Sequence, residues 1–249
     1  MAAILTPPPP PRDIANARAR QFTNAVTSNR LILIPGMGAD ERLFGPQAAG
    51  GLTFDVSPLP VPGKRDDLPT YAARLAELME IDSNCIIGGV SFGGMVACEI
   101  ARIVRPRAVL QIASCRSRSA LPSYYTAVEW ISRMIPDQLI RMRAEASSRM
   151  LAALESLTSE QEALIRDMSL KVEVPFLRRV GRMIVQWKGA EELPCPVYSI
   201  HGAKDLIIPL RHVRADEVIP DGGHLINLTH ADQVNAFIRN HLNALTSQN

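Results

Sequence analysis

Aromatic side chains make up only 5% of the 249 residues, and there are only four cysteines, none in a C-x-x-C pair. Cys85, Cys98, Cys115 and Cys195 therefore outline neither a disulfide framework nor a zinc site, and two of them open apolar runs as core residues do; the chain reads as a reduced, cytoplasmic protein. No apolar run approaches 18 residues, so no membrane span is expected. The N-terminus lacks the charged start and apolar segment of a secretory signal. An excess of one charge is missing too: 27 Lys and Arg against 25 Asp and Glu leave a net +2, which offers no field for nucleic acid or an anionic membrane. A hydrophobic content of 47% excludes a disordered chain, and this length can bury a core without staples.

What is present divides into two parts. Residues 1–29 carry five consecutive prolines, Pro7 to Pro11, which have fixed φ and no backbone donor; this stretch is expected to be a flexible tail, with a short helix possible over Asp13 to Arg20. Residues 30–249 are expected to form one domain. Leu31–Ile34, Leu52–Val56, Cys85–Val90 and Ala108–Ile112 read as short strands, several of them apolar throughout, as buried parallel strands are. Between them, residues 67–80 and 92–104 repeat at helical spacing, with Leu68, Ala72, Leu75 and Met79 on one face of the first and Val96, Ile100, Ile103 and Val104 on one face of the second. Strand character returns at Val197–Ile200 and more weakly at Ala215–Ile219, and Asp232–Leu242 closes the chain as an amphipathic helix. The alternation predicts an α/β fold with a mostly parallel central sheet and helices on both faces. About 114–190 shows helical patterns and no convincing strand, so it reads as a helical insertion.

The chemistry is concentrated at strand ends. Gly89-Val90-Ser91-Phe92-Gly93 is a G-x-S-x-G placed between a strand and a helix, where a nucleophile elbow belongs. Glycine at 89 and 93 removes side chains that would crowd the turn, and the serine lies at a helix N-terminus, which favours negative charge. A serine hydroxyl needs a base, and the base an orienting acid. Of five histidines, His224 in Asp221-Gly222-Gly223-His224 follows the last strand and lies at the sheet edge expected for Ser91; His201 is expected to pack or cap, His212 and His230 to be solvated, and His241 to lie on the closing helix. Asp205 follows Val197–Ile200 and is the best-placed acid, whereas Asp216 and Asp221 are too near the last strand or His224, and Glu191 and Glu192 precede the strand. Pro35-Gly36-Met37-Gly38 follows the first strand, and the backbone amides of Met37 and Phe92 are the expected donors to an oxyanion.

Taken together, LILIPGMGADERLF, GGVSFGG, HGAKDLIIP and DGGHLINLTHADQV resemble the α/β-hydrolase fold family from about Arg30 to Leu242. The resemblance implies a catalytic triad in the chain order Ser91, Asp205, His224 and a cap over the site at 114–190. It implies acyl transfer to water, with no metal or cofactor required. The chain departs from the family in its short, proline-rich start, which leaves little room for the usual opening antiparallel hairpin. Asp205 and His224 are also too close in sequence for the usual intervening helix.

A small or medium carboxylic ester is the first expectation for the substrate. An acyl thioester is the second, and a hydrolase-fold receptor with slow or no turnover is the third. Trp130, Met134 and Trp187 are the expected substrate-pocket residues, although apolar residues at helical spacing also serve as plain core. Residues 114–190 hold 12 Lys and Arg against eight acids, an excess that an acyl-carrier protein would use and that a solvated helix surface explains equally well.

Overall fold

The computed structural model describes residues 30–132 and 134–247, so the proline-rich stretch and its short helix lie outside the described residues. The strands are β1 (Leu31–Ile34), β2 (Asp55–Val56), β3 (Ile86–Val90), β4 (Ala108–Ile112), β5 (Val197–Gly202) and β6 (Glu217–Ile219). They form one sheet in the order β2-β1-β3-β4-β5-β6, with every neighbouring pair parallel. Parallel pairing sends all carboxyl ends to the same edge, and the loops that leave that edge carry the candidate residues. The helices are α1 (Gly45–Ala49), α2 (Leu68–Leu78), α3 (Phe92–Val104), α4 (Tyr124–Ser132), α5 (Asp137–Leu154), α6 (Ser159–Lys171), α7 (Val174–Gln186), α8 (Ile226–Thr229) and α9 (Ala231–Thr246).

Successive strand residues point to opposite faces, and both faces are covered. Ile32, Ile34, Ile87 and Val109 pack with Leu68, Tyr71 and Leu75 of α2 and with Phe92, Val96 and Ile100 of α3. Leu31, Leu33, Ile86, Leu110 and Ile112 pack on the other side with Val234, Phe237 and Ile238 of α9. This two-sided burial is why the strands read as unbroken apolar runs.

Several boundaries differ from the sequence reading. The edge strand β2 shortens to two residues and β6 to three. The closing helix runs on to Thr246, and α8 was not anticipated. Ile103, expected on the buried face of α3, is 54% exposed in the last turn of the helix.

Between β4 and β5 the chain inserts α4 to α7. α7 sends Phe176, Val180, Met183 and Trp187 into the core on the α2–α3 side, and α6 sends Ile165 and Met168 into the opposite core. Arg179 donates to the carbonyl of Pro62 at 2.5 Å, and Arg42 pairs with Asp167 at 2.7 Å. Trp187 is 4% exposed, and its indole Nε1–H donates to the buried carboxylate of Glu99 on α3 at 2.7 Å.

Removing that donor leaves Glu99 with Arg102, whose guanidinium lies 3.4 Å away and is half exposed. Trp187→Phe is therefore expected to cost about 1–3 kcal/mol in urea unfolding. Adding Glu99→Leu should recover part of the loss. Full additivity of the two substitutions would show that the bond contributes nothing.

Candidate active site

Ser91 sits between β3 and α3 with φ +53° and ψ −117°, a left-handed-side conformation that a side-chain-bearing residue rarely adopts. The surroundings hold it there. Its N–H donates to the Ile112 carbonyl at 3.0 Å, and its own carbonyl accepts from Gly94 N at 3.0 Å and from the Ser114 hydroxyl at 2.6 Å. A side chain at Gly89 would collide with the Gly93 backbone, and one at Gly93 with the carbonyl oxygens of Ile34 and Pro35. The two glycines of the motif thus let α3 start against the strand ends, with the serine at the apex.

Asp205 lies in the loop after β5 and His224 in the loop after β6. The two loops meet because Gly202 has no side chain: a Cβ there would strike the carbonyl oxygens of Gly222 and Gly223. Between β5 and β6 the chain makes only a 3-10 turn, Leu210–His212, so the connection is as short as the spacing of the acid and histidine required. The Lys204 amide donates to Gly222 O at 2.8 Å, fastening one loop to the other.

These loops bring the three residues together. His224 Nε2 lies 2.9 Å from Ser91 Oγ, and His224 Nδ1 lies 2.7 Å from Asp205 Oδ2. An ionised carboxylate only accepts, so Nδ1 carries the hydrogen and Nε2 is left free to accept from the serine hydroxyl. Asp205 Oδ1 accepts from the amides of Ile207 and Ile208, both at 2.8 Å. Burial works against ionising Asp205, but His224, His201 and the Ile208 amide outweigh it and hold the carboxyl below the usual carboxylate range. Burial likewise opposes a charge on His224, whose side chain is 8% exposed; the carboxylates of Asp205 and Glu155 outweigh it and raise the imidazole above its ordinary value.

Two further residues enter the site. His201, expected to pack or cap, is fully buried in β5; its Nε2 lies 2.8 Å from Ile208 O and 3.2 Å from Asp205 Oδ2, so it braces the acid from behind. Glu155, from the end of α5, accepts from the amides of His224 and Leu225, the latter at 3.0 Å. Sequence reasoning missed Glu155, because it lies 69 residues from His224 in a segment legible only as helix.

The other expected residues are distributed as follows. Gly36 is adjacent to the serine: a Cβ there would lie 3.6 Å from Ser91 Cβ, which brings the Pro35–Gly38 loop beside Ser91. Phe92 begins α3, where the first N–H groups have no acceptor within the helix. A hollow of about 420 Å³ borders the same loop, lined by Pro35, Ala39 and Asp40 on one side and Val56, Ser57 and Leu59 on the other.

Of the three expected pocket residues, Trp187 is buried and bonded to Glu99, while Trp130 and Met134 are 61% and 72% exposed. Helical spacing identifies apolar positions but not which of them face a site. His230 sits 3.4 Å from Asp221, and His241 stacks on Tyr198 with ring centroids 3.9 Å apart. Among the described residues no group of three His, Cys, Asp or Glu side chains converges to hold a metal, and no helix is long and apolar enough to cross a membrane.

An esterase from Thermogutta terrifontis superposes with a TM-score of 0.70 at 19% identity, covering 88% of this chain and 91% of that one. A hydrolase from Oleispira antarctica gives 0.68 at 15% identity, with 87% and 91% covered, and an enol-lactonase from Burkholderia xenovorans LB400 gives 0.67 at 16%, with 87% and 92% covered. At these identities the likeness is one of fold. A search of curated protein sequences finds no match. The family model described as "Alpha/beta hydrolase family" matches residues 7–237. With nearly the whole sequence matched and the parallel sheet carrying its loops at one edge, the chain belongs to the α/β-hydrolase family.

Proposed function

We propose that the protein is a serine hydrolase that cleaves small or medium carboxylic esters, with Ser91 as nucleophile, His224 as general base and Asp205 as its orienting acid. The observation that carries this reading is the unbroken series Asp205–His224–Ser91, at 2.7 Å and 2.9 Å. Ser91 attacks the ester carbonyl while its proton passes to His224 Nε2, and Asp205 stabilises the imidazolium that results. The tetrahedral oxyanion takes hydrogen bonds from the amides of Met37 and Phe92, donors of a kind worth about 2.7–4 kcal/mol of barrier each. Collapse breaks the carbon–oxygen bond to the alcohol, which leaves with the proton from His224. Water, deprotonated by the same imidazole, then attacks the acyl-enzyme, and the acid is released as Ser91 recovers its proton.

The helical insertion is the segment that would cap this site and select among esters. Its contact with the histidine loop through Glu155 supports that role. The described cysteines are free, and burial pushes the Cys115 thiol up to about 12, so this thiol is a packing group rather than a second nucleophile.

A chain-length series of nitrophenyl esters, assayed beside acyl-CoA thioesters, tests the reading. Ester turnover should fall by at least about 10⁴-fold in Ser91→Ala. A preference for thioesters would move the assignment to a thioesterase, and tight binding of an ester without turnover would make the protein a receptor.

The pH dependence follows from the same geometry. The base works only when neutral, and its imidazole is raised, so kcat/KM should climb with pH through a midpoint above the ordinary value of about 6.5. Asp205 stays ionised throughout that range because its carboxyl is depressed. A rising limb centred below pH 6 would contradict the assignment of His224.

A further inference from the structure

Glu155 occupies a position that helix energetics do not explain. It is the C-terminal cap of α5, where the helix carries partial negative charge and an anionic side chain is disfavoured. What compensates is outside the helix. One carboxylate oxygen accepts from the His224 N–H and the other from the Leu225 N–H, so two consecutive backbone amides of the histidine loop converge on a single anion. The neighbouring backbone is shaped to allow this. Ser156, the next residue, adopts φ +53°, and a side chain at Gly223 would strike the Glu155 carboxyl group. The chain thus spends an unfavourable helix terminus, an unusual backbone angle and a glycine on this one contact.

We propose that Glu155 is a positioning residue for the base: by clamping the 224–225 backbone from the helical insertion, it fixes the His224 ring between Ser91 and Asp205 and favours the imidazolium formed when the serine proton is taken. The inference rests on the reading of His224 as base. The ionisable and polar groups that face His224 are Ser91 from the start of α3, Asp205 from the loop after β5 with His201 behind it, and Glu155 from the end of α5. Asp205 acts on the ring through Nδ1, whereas Glu155 acts on the backbone that carries the ring, so the two acids constrain different degrees of freedom. The negative charge of Glu155 also adds to that of Asp205 in raising the imidazole.

Glu155→Gln tests the proposal, since it preserves size and one acceptor oxygen while removing the charge and the second acceptor. Assayed on the best ester of the series, it should lower kcat about ten- to hundredfold with KM changed less than about twofold. The rising limb of kcat/KM should shift toward lower pH by about half a unit, and the His224 midpoint read by NMR titration should move the same way whether or not the enzyme turns over. Glu155→Asp, which keeps the charge but retracts it, should leave the limb near its wild-type position while still lowering kcat. That second variant also serves if Glu155→Gln fails to fold.

A Glu155→Gln protein with lowered stability but wild-type kcat and an unmoved His224 midpoint would overturn the inference and leave Glu155 as a tether of the insertion. Absence of ester and thioester turnover in the wild type would instead sink the reading of the triad, and the NMR comparison would still decide whether Glu155 acts on His224.

Discussion

Ser91 is held at φ +53° in a turn that a side-chain-bearing residue occupies at a cost of about 1–3 kcal/mol, and the surrounding packing keeps it there. The constraint begins with two glycines. Without a side chain at 89 or 93, the first turn of α3 can rest against the carbonyls of Ile34 and Pro35 at the end of β1, and only then does the serine stand clear at the sheet edge. The same close approach aligns the helix N-terminus with the loop that carries Met37. One local backbone choice therefore places Ser91, the helix end and the Pro35–Gly38 loop together. It is compatible only with a strand order in which β1 and β3 are neighbours, as they are here.

A second convergence supplies the other two groups. Asp205 and His224 lie on loops that follow adjacent strands, joined by a connection that forms only a 3-10 turn, and the absent side chain of Gly202 lets the loops touch. The buried aspartate gathers amide hydrogen bonds from Ile207 and Ile208 on one oxygen and imidazole nitrogens on the other. A buried carboxylate with so many donors is stable as an anion, and only an anion holds the Nδ1–H tautomer that leaves Nε2 available to serine.

These features were legible to unequal degrees before any coordinates. Buried parallel strands announce themselves as apolar runs, and G-x-S-x-G, HGAKD and DGGH fall at strand ends because such loops need glycine and polar residues at fixed positions; that Ser91, Asp205 and His224 would meet at one sheet edge could be read from that. Short edge strands could not. β2 keeps two residues at the sheet edge, and no periodicity of two can be measured over so few. The burial of Trp187 was not legible because composition registers an aromatic ring but not its partner, and Glu99, to which it donates, lies on another element. Glu155 was silent for the same reason. Its importance depends on two amides 69 and 70 residues away, and nothing in a helical pattern marks a carboxylate as facing a loop rather than water.

The placement of Glu155 changes how the helical insertion should be understood. Through α6 and α7 it is built into both cores of the sheet, so it is not an appendage that could be removed without exposing apolar surface. Through the end of α5 it reaches the histidine loop itself. A buried imidazole loses basicity as it leaves water, and a weak base takes a serine proton poorly. One carboxylate restores that basicity from the sheet side and a second from the insertion, against the same burial. The burial of His224 is therefore opposed by one carboxylate from the sheet and one from the helical insertion, and the end of α5 is joined directly to the histidine loop.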